Sequence, residues 1–365
     1  MNMHTSHRLT RLLFALTALV AGVAATWAQP VPNAGNMDNI PSAQKPGSML
    51  FYDIYTSKIG DPTENTRMNI TNTHPSRPVN VHMFFIRRSD CTIADIYVCL
   101  TANQTFSFLA SEYDPNETGF LYAVATSDSG APISHNYLIG DLYVKSAFNT
   151  TSYFQANLGA MAFSARKTRR GAAAAQDWVD GAEGLIWSFD PSRTGLSFGD
   201  FQSDIEENLY DAVPNRLAID NIQSLRDGNN TLMIIHSMQG RVDQAGAIGM
   251  LSGQVYNDIE KGFSYQIRGL GCLETRLLND SLIRIPFGYS NVIPSNRTGW
   301  MYFQSPLNPA GVPNLGLLGA TIVSNTKSAT DKAAFNGGHH MHILSVKENP
   351  GFAIPVIPTS TCVNY

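Results

Sequence analysis

Gly338-His339-His340-Met341-His342 is the densest run of metal-ligating side chains in the sequence. On a strand, side chains alternate between faces, so His340 and His342 are expected to share one face while His339 points away. Two imidazoles at that spacing hold zinc or copper when further ligands arrive from elsewhere. A second set is acidic: Asp61 with Glu64, Asp114 with Asn116 and Glu117, and Asp227 with Asn229 offer oxygen ligands suited to calcium. None has the spacing of an EF-hand loop, and turns use the same residues without any ion. A third pattern is Gly195-Leu196-Ser197-Phe198-Gly199, which fits the G-x-S-x-G turn that exposes a nucleophilic serine. Histidines follow it in the order a hydrolase needs. However, Asp190-Pro191-Ser192-Arg193 breaks the strand that should precede the turn, and the alternating βα units of that fold are missing. Ser197 is therefore the nucleophile of an alternative reading only.

The elements that must position these residues are strands, and the chain repeats itself. Asp61-Pro62-Thr63-Glu64-Asn65-Thr66-Arg67-Met68-Asn69-Ile70 matches Asp227-Gly228-Asn229-Asn230-Thr231-Leu232-Met233-Ile234-Ile235 with one residue gapped. Asn116-Glu117-Thr118-Gly119-Phe120-Leu121-Tyr122 recurs about 180 residues later as Asn296-Arg297-Thr298-Gly299-Trp300-Met301-Tyr302. Weaker matches keep nearly that spacing: Cys91 with Cys272, Leu138-Ile139-Gly140 with Leu317-Leu318-Gly319, and Met161-Ala162-Phe163 with Met341-His342-Ile343. Strand-like stretches at 48–55, 67–71, 79–86, 105–109, 120–126 and 137–144 are rich in β-branched and aromatic residues, with turn chemistry between them. Short strands at this spacing, with almost no helical periodicity, predict an all-β fold. The expectation is two tandem antiparallel β-sandwich domains, immunoglobulin-like, from an internal duplication. Copy one runs over 47–165 and copy two over 213–350; 29–46 is a linker and 351–365 a C-terminal strand or tail. Residues 166–212 have no counterpart in the repeat and read as an insertion carrying a hairpin and a short helix near Gln202–Tyr210.

Asn65-Thr66-Arg67-Met68-Asn69-Ile70-Thr71-Asn72-Thr73-His74 and Cys99-Leu100-Thr101-Ala102-Asn103-Gln104-Thr105 resemble segments of exported, β-rich bacterial proteins of uncharacterised function. The resemblance covers chiefly the first copy and implies export but no activity, cofactor or site.

Arg8 and Arg11, the apolar run Leu12–Ala25 and Thr26-Trp27-Ala28 predict a signal peptide over residues 1–28. No later segment is long and apolar enough to span a bilayer as a helix, so the mature chain is expected to be secreted, periplasmic or extracellular. With 15% charged residues and a net charge of −4, it lacks the basic surface that a nucleic-acid partner requires. Cys91, Cys99, Cys272 and Cys362 make an even count, which in an exported chain favours disulfides; no C-x-x-C pair supports zinc. The expected pairings are Cys91 with Cys99 and Cys272 with Cys362. Asn69, Asn103, Asn116, Asn149, Asn229, Asn279 and Asn296 begin N-x-S/T triplets, which suit turns and strand edges as well as glycan attachment.

No set of acid, base or nucleophile residues recurs in both copies. The expected function is therefore a non-catalytic binding or structural protein of the cell surface or exterior, with a surface, a glycan or a protein as partner. The alternative is a secreted hydrolase, metal-dependent if the histidines supply its centre.

Overall fold

The computed structural model describes residues 40–128, 130, 132–133, 135–149, 152–165, 210–238, 240–241, 244–285, 288–306, 315–325, 336–347 and 352–354. The first half contains β1 (Met49–Thr56), β2 (Thr66–Asn72), β3 (Val79–Arg87), β4 (Ile93–Leu100), β5 (Thr105–Leu109), β6 (Thr118–Thr126), β7 (Leu138–Asn149), β8 (Ser152–Gly159) and β9 (Met161–Phe163). The second half opens with β10 (Val213–Gln223), β11 (Asn229–Met238), β12 (Gly240–Arg241), β13 (Gln244–Ala245) and β14 (Gly249–Asn257). It continues with β15 (Gly262–Leu270), β16 (Leu273–Leu277), β17 (Thr298–Gln304), β18 (Gly316–Asn325), β19 (Gly337–His340), β20 (His342–Lys347) and β21 (Phe352–Ala353). Six of the nine first-half strands coincide with the stretches expected from sequence; β4, β8 and β9 are additional.

The first half forms a five-stranded sheet in the order β4-β3-β6-β1-β9 and a four-stranded sheet in the order β5-β2-β7-β8. The second half forms sheets in the orders β15-β14-β17-β10-β20 and β16-β11-β18-β19, while β13-β12-β21 is a small separate sheet. Once β12 and β13 are set aside, strands fill both pairs of sheets in the same order of rank. The irregularities coincide as well. The β1–β6 ladder slips between Tyr52 and Tyr55, and the β10–β17 ladder slips between Ile219 and Ile222.

The shared N-x-T-G motif has a backbone cause. Asn116 and Asn296 both have positive φ, at 63° and 59°, a region that Asn tolerates better than most residues. A Cβ on Gly119 would lie 2.0 Å from the Ile86 carbonyl oxygen, and one on Gly299 would lie 2.3 Å from that of Tyr256. Gly119→Ala and Gly299→Ala are therefore each expected to cost about 1–3 kcal/mol by forcing neighbouring strands apart. A fall in the urea midpoint would read this out; an unchanged midpoint for both would refute the steric account.

Within each half residues of the two sheets share a core, and in the first half Tyr52 Oη of β1 donates to the Asn69 carbonyl of β2 at 2.8 Å. A further layer joins the halves. Leu232 and Ile234 of β11, with Leu318, Ala320 and Ile322 of β18, belong to the same apolar cluster as the first half's core. Met233, Ile235 and Leu317 face the second half's own core. The β11/β18 sheet thus has apolar contacts on both faces. It covers the outer side of β1 and β6, where the Phe51 and Phe120 rings lie 4.8 and 4.7 Å from that of His236. Each large apolar side chain removed from water this way contributes about 1.5–3 kcal/mol.

The cysteines correct the expected pairing. Cys91 bonds Cys272, with their Cα atoms 6.1 Å apart at a sequence separation of 181, so neither Cys91–Cys99 nor Cys272–Cys362 forms. Cys99 is also disulfide-bonded, and Cys362 lies outside the described residues. Nor do Cys91 and Cys272 hold equivalent places: Cys91 precedes β4, whereas Cys272 precedes β16, whose rank matches β5. The match at Met161-Ala162-Phe163 is likewise one residue out of register. Ala162 pairs with Leu50 while Ile343 pairs with Leu217, so Ala162 corresponds to Ile343.

Residues 40–46, the described part of the segment expected as a linker before β1, are docked. Ser42 bridges Ala162, and Lys45 pairs with Asp211 at 2.5 Å. Among the described residues, no helix is long and apolar enough to cross a membrane.

Candidate functional site

β19 pairs with β18 through Thr321↔His339 and Ala320↔His340. Met341 then anchors its amide to the Gly319 carbonyl at 2.9 Å, and β20 pairs with β10 through Ala218↔His342. The chain therefore changes sheets at Met341, whose side chain is buried in the second core. That crossing resets the alternation on which the expected His340/His342 face depended. The structure separates those two residues and brings His339 and His342 together instead.

His339 and His342 converge on Asp220 of β10, a residue that sequence reading missed. His342 Nε2 lies 3.2 Å from Asp220 Oδ2, and His339 Nε2 lies 3.7 Å from Asp220 Oδ1. All three side chains are exposed, and one ligand atom from each lies within 4.8 Å of the others. His339 Nδ1 is 2.9 Å from the His340 carbonyl oxygen. A carbonyl only accepts, so this nitrogen carries the proton, and in neutral imidazole the Nε2 lone pair is left toward Asp220. Thr321 Oγ1, at 3.2 Å from Nε2, is placed to donate to it.

His340 turns the other way, into the boundary between the halves. Its Nδ1 is 3.0 Å from Oδ2 of Asp53, a carboxylate with only 1% of its side chain exposed. The contact lies off the line of a good hydrogen bond and is chiefly an ion pair. Nε2 is 2.7 Å from the Gly159 carbonyl oxygen. Both ring nitrogens thus face acceptors, an arrangement that imidazolium satisfies. Burial alone would lower the His340 pKa, but the charge and contact of Asp53 and the Gly159 carbonyl outweigh it and raise the pKa above 6.5. His236, fully buried with Nε2 3.9 Å from Asp53 Oδ1, goes the opposite way. Burial pushes it down to about 4, against partial opposition from Asp53.

Asp220 shares its sheet with an aromatic strip on the outer face. Tyr256 pairs with Trp300, and Gln254 and Ala218 both pair with Tyr302. The Tyr256 and Trp300 rings stack with centroids 5.0 Å apart and planes 14° from parallel. Tyr302 lies 6.1 Å from Trp300, and the Arg216 guanidinium sits 5.6 Å over the Tyr302 ring. Trp300 is 41% exposed. In the first half, strand order and register put Phe120, Tyr122 and Asp53 at the places of Trp300, Tyr302 and Asp220. There the face is covered by β11 and β18.

The Asp61, Glu64, Asp114 and Asp227 carboxylates find partners within the protein. Asp61 accepts from the Thr63 amide at 2.9 Å and pairs with Lys58 at 3.2 Å, and Lys58 also lies 3.7 Å from Glu64. Asp114 is buried, taking Arg87 Nη2 at 2.6 Å and Tyr55 Oη at 2.5 Å. Asn116 Oδ1 accepts from the Ile59 amide at 3.1 Å, and the Glu117 amide donates to Ser57 Oγ at 2.8 Å. Asp227 accepts from Ser295 Oγ and from the Asn296 amide. Asn229 Oδ1 accepts from Asn325 at 2.7 Å. Ser197 and its motif lie outside the described residues.

No family model matches this chain, and no curated protein does. A Thermotoga maritima protein, 1070, aligns over 32% of this chain and 95% of its own, with 10% identity and a TM-score of 0.25. The secreted serine protease VesC from Vibrio cholerae aligns over 77% of this chain and 50% of its own, with 11% identity and a TM-score of 0.15. The viral chemokine binding protein R17 of rodent gammaherpesvirus Peru aligns over 82% and 88%, with 9% identity and a TM-score of 0.15. At these scores the likenesses carry neither a fold nor an activity to this chain.

Proposed function

We propose that this chain is an exported, non-catalytic binding protein made of two diverged copies of one immunoglobulin-like sandwich, and that it presents the outer face of β14, β17 and β10 to an extracellular glycan. The common rank order, the paired ladder slips and the paired N-x-T-G turns support the duplication, with copies at about 47–165 and 213–350. The Arg8–Ala28 leader signature and the disulfide-bonded cysteines support export to a secreted, periplasmic or extracellular location.

The observation that carries the binding reading is the stacked, solvent-facing Tyr256–Trp300 pair. Its first-half counterpart is buried by protein, whereas this strip combines flat apolar rings with the polar side chains of Gln254 and Arg216. Sugar rings offer an apolar C–H face and a rim of hydroxyls, which suits such a surface. Exposed aromatic area of this kind marks interaction sites more often than it serves stability.

Trp300→Ala is expected to weaken retention on a polysaccharide at least tenfold without lowering the melting temperature. Affinity electrophoresis through gels containing cell-wall and storage polysaccharides reads this directly. Equal mobility of the wild type and the variant in every gel would defeat the glycan reading.

A further inference from the structure

We propose that Asp220, His339 and His342 form a surface site for a divalent transition-metal ion of the zinc class. The site is independent of glycan binding, and its test uses metal alone.

The donor set is two imidazole nitrogens and one carboxylate, supplied from three strands whose backbones are fixed by β10–β20 and β18–β19 pairing. Zinc binds nitrogen and carboxylate oxygen at about 2.0–2.2 Å, which sets neighbouring donors roughly 3.3 Å apart in a tetrahedron. The 3.2 Å and 3.7 Å separations to Asp220 bracket that value. His339 is already held in the tautomer that a metal needs, because the His340 carbonyl takes its Nδ1–H at 2.9 Å. Metal-ligating histidines characteristically have such a partner on the far nitrogen. The hydroxyl of Thr321, which now faces His339 Nε2, would give up that contact to the ion. Calcium and magnesium prefer all-oxygen shells, so the two imidazoles select against them.

The contrast between the halves sharpens the assignment. Asp53 occupies the place in β1 that Asp220 occupies in β10, but it is buried between His340 and His236 at the boundary of the halves. Asp220 instead faces two histidines at the surface, with open directions toward water. A bound ion would take its remaining ligands from solvent.

The test is calorimetric titration of the tag-free, chelator-washed full chain with zinc sulfate. One ion per chain is expected, at micromolar or tighter dissociation, and Asp220→Asn or His342→Ala should weaken it tenfold or more. Copper(II) loaded at one equivalent should show electron-spin couplings to two imidazole nitrogens in the wild type and to one in His339→Ala. All three positions are exposed, so circular dichroism melts of the variants should overlay the wild type. Absence of stoichiometric zinc uptake would overturn the proposal. So would wild-type affinity in the Asp220→Asn, His339→Ala, His342→Ala triple variant.

Discussion

Replacing Cys91 and Cys272 together by alanine is expected to remove about 5 kcal/mol of stability, the chain-entropy value for a loop of this length. The bond spans a sequence separation of 181 and ties the turn between β3 and β4 to the turn between β15 and β16. Without it the denatured chain is free to expand, so the denaturant slope should steepen while the midpoint falls. Arg88 and Glu274, 3.7 Å apart, cannot compensate, because the partly exposed Arg88 is the more distant partner of a buried carboxylate that Arg276 already holds at 3.1 Å. Urea unfolding of the double variant measures the loss. A change below about 1 kcal/mol would mean that the two halves remain held together when the rest of the chain unfolds.

That bond shows where the sequence was legible and where it was not. β-branched and aromatic richness with turn chemistry between the stretches located six first-half strands, of which β2 buries one face and leaves the other more exposed. The N-x-T-G repeats were readable because backbone geometry demands Asn at positive φ and Gly under a neighbouring carbonyl. Contacts between the halves left a subtler trace. β1 and β3 are apolar on both faces, and the run Met83-Phe84-Phe85-Ile86 signals a sheet covered on both sides, which a separate sandwich would not need. Asp53, an acid inside the run Leu50–Ile54, signals a buried partner in the same way.

The missed chemistry has one cause. The His339/His340/His342 pattern was read as a single strand, but the chain changes sheets at Met341, and that one residue of crossover puts His339 rather than His340 on the side of His342. Asp220 follows the alternation of β10, outward next to core-facing Ile219, but which histidines it meets is decided by the sheet change at Met341. That sheet change is not marked by residue type. The disulfide partner of Cys91 is equally invisible, since local spacing favours Cys99 and only the packing of one half on the other brings Cys272 near.

Asp53→Ala is expected to destabilise the fold by about 3–5 kcal/mol, because it leaves the His340 cation buried without its counter-charge. The signs of the neighbouring histidines make the effect separable from a simple cavity. His340 has a raised pKa, so its contribution is complete below 6.5 and is lost as pH climbs through the raised value. His236 has a pKa lowered to about 4, so its contribution is complete above 6.5 and is lost as pH falls toward 4. His135, also pushed down to about 4 chiefly by burial, adds to the acid loss. Wild-type stability should therefore decline on both sides, with His340 shaping the alkaline limb and His236 and His135 the acid one. In Asp53→Ala the alkaline decline should vanish, because the carboxylate that raises His340 is gone, while the acid decline persists. His236→Phe should flatten the acid limb in part, since a ring of similar size would fit beside Phe51 and Phe120 without taking up a proton. Urea midpoints for the three proteins between pH 4 and 9 decide the matter, and an alkaline limb that survives in Asp53→Ala would show that the charge of this pair does not join the two halves.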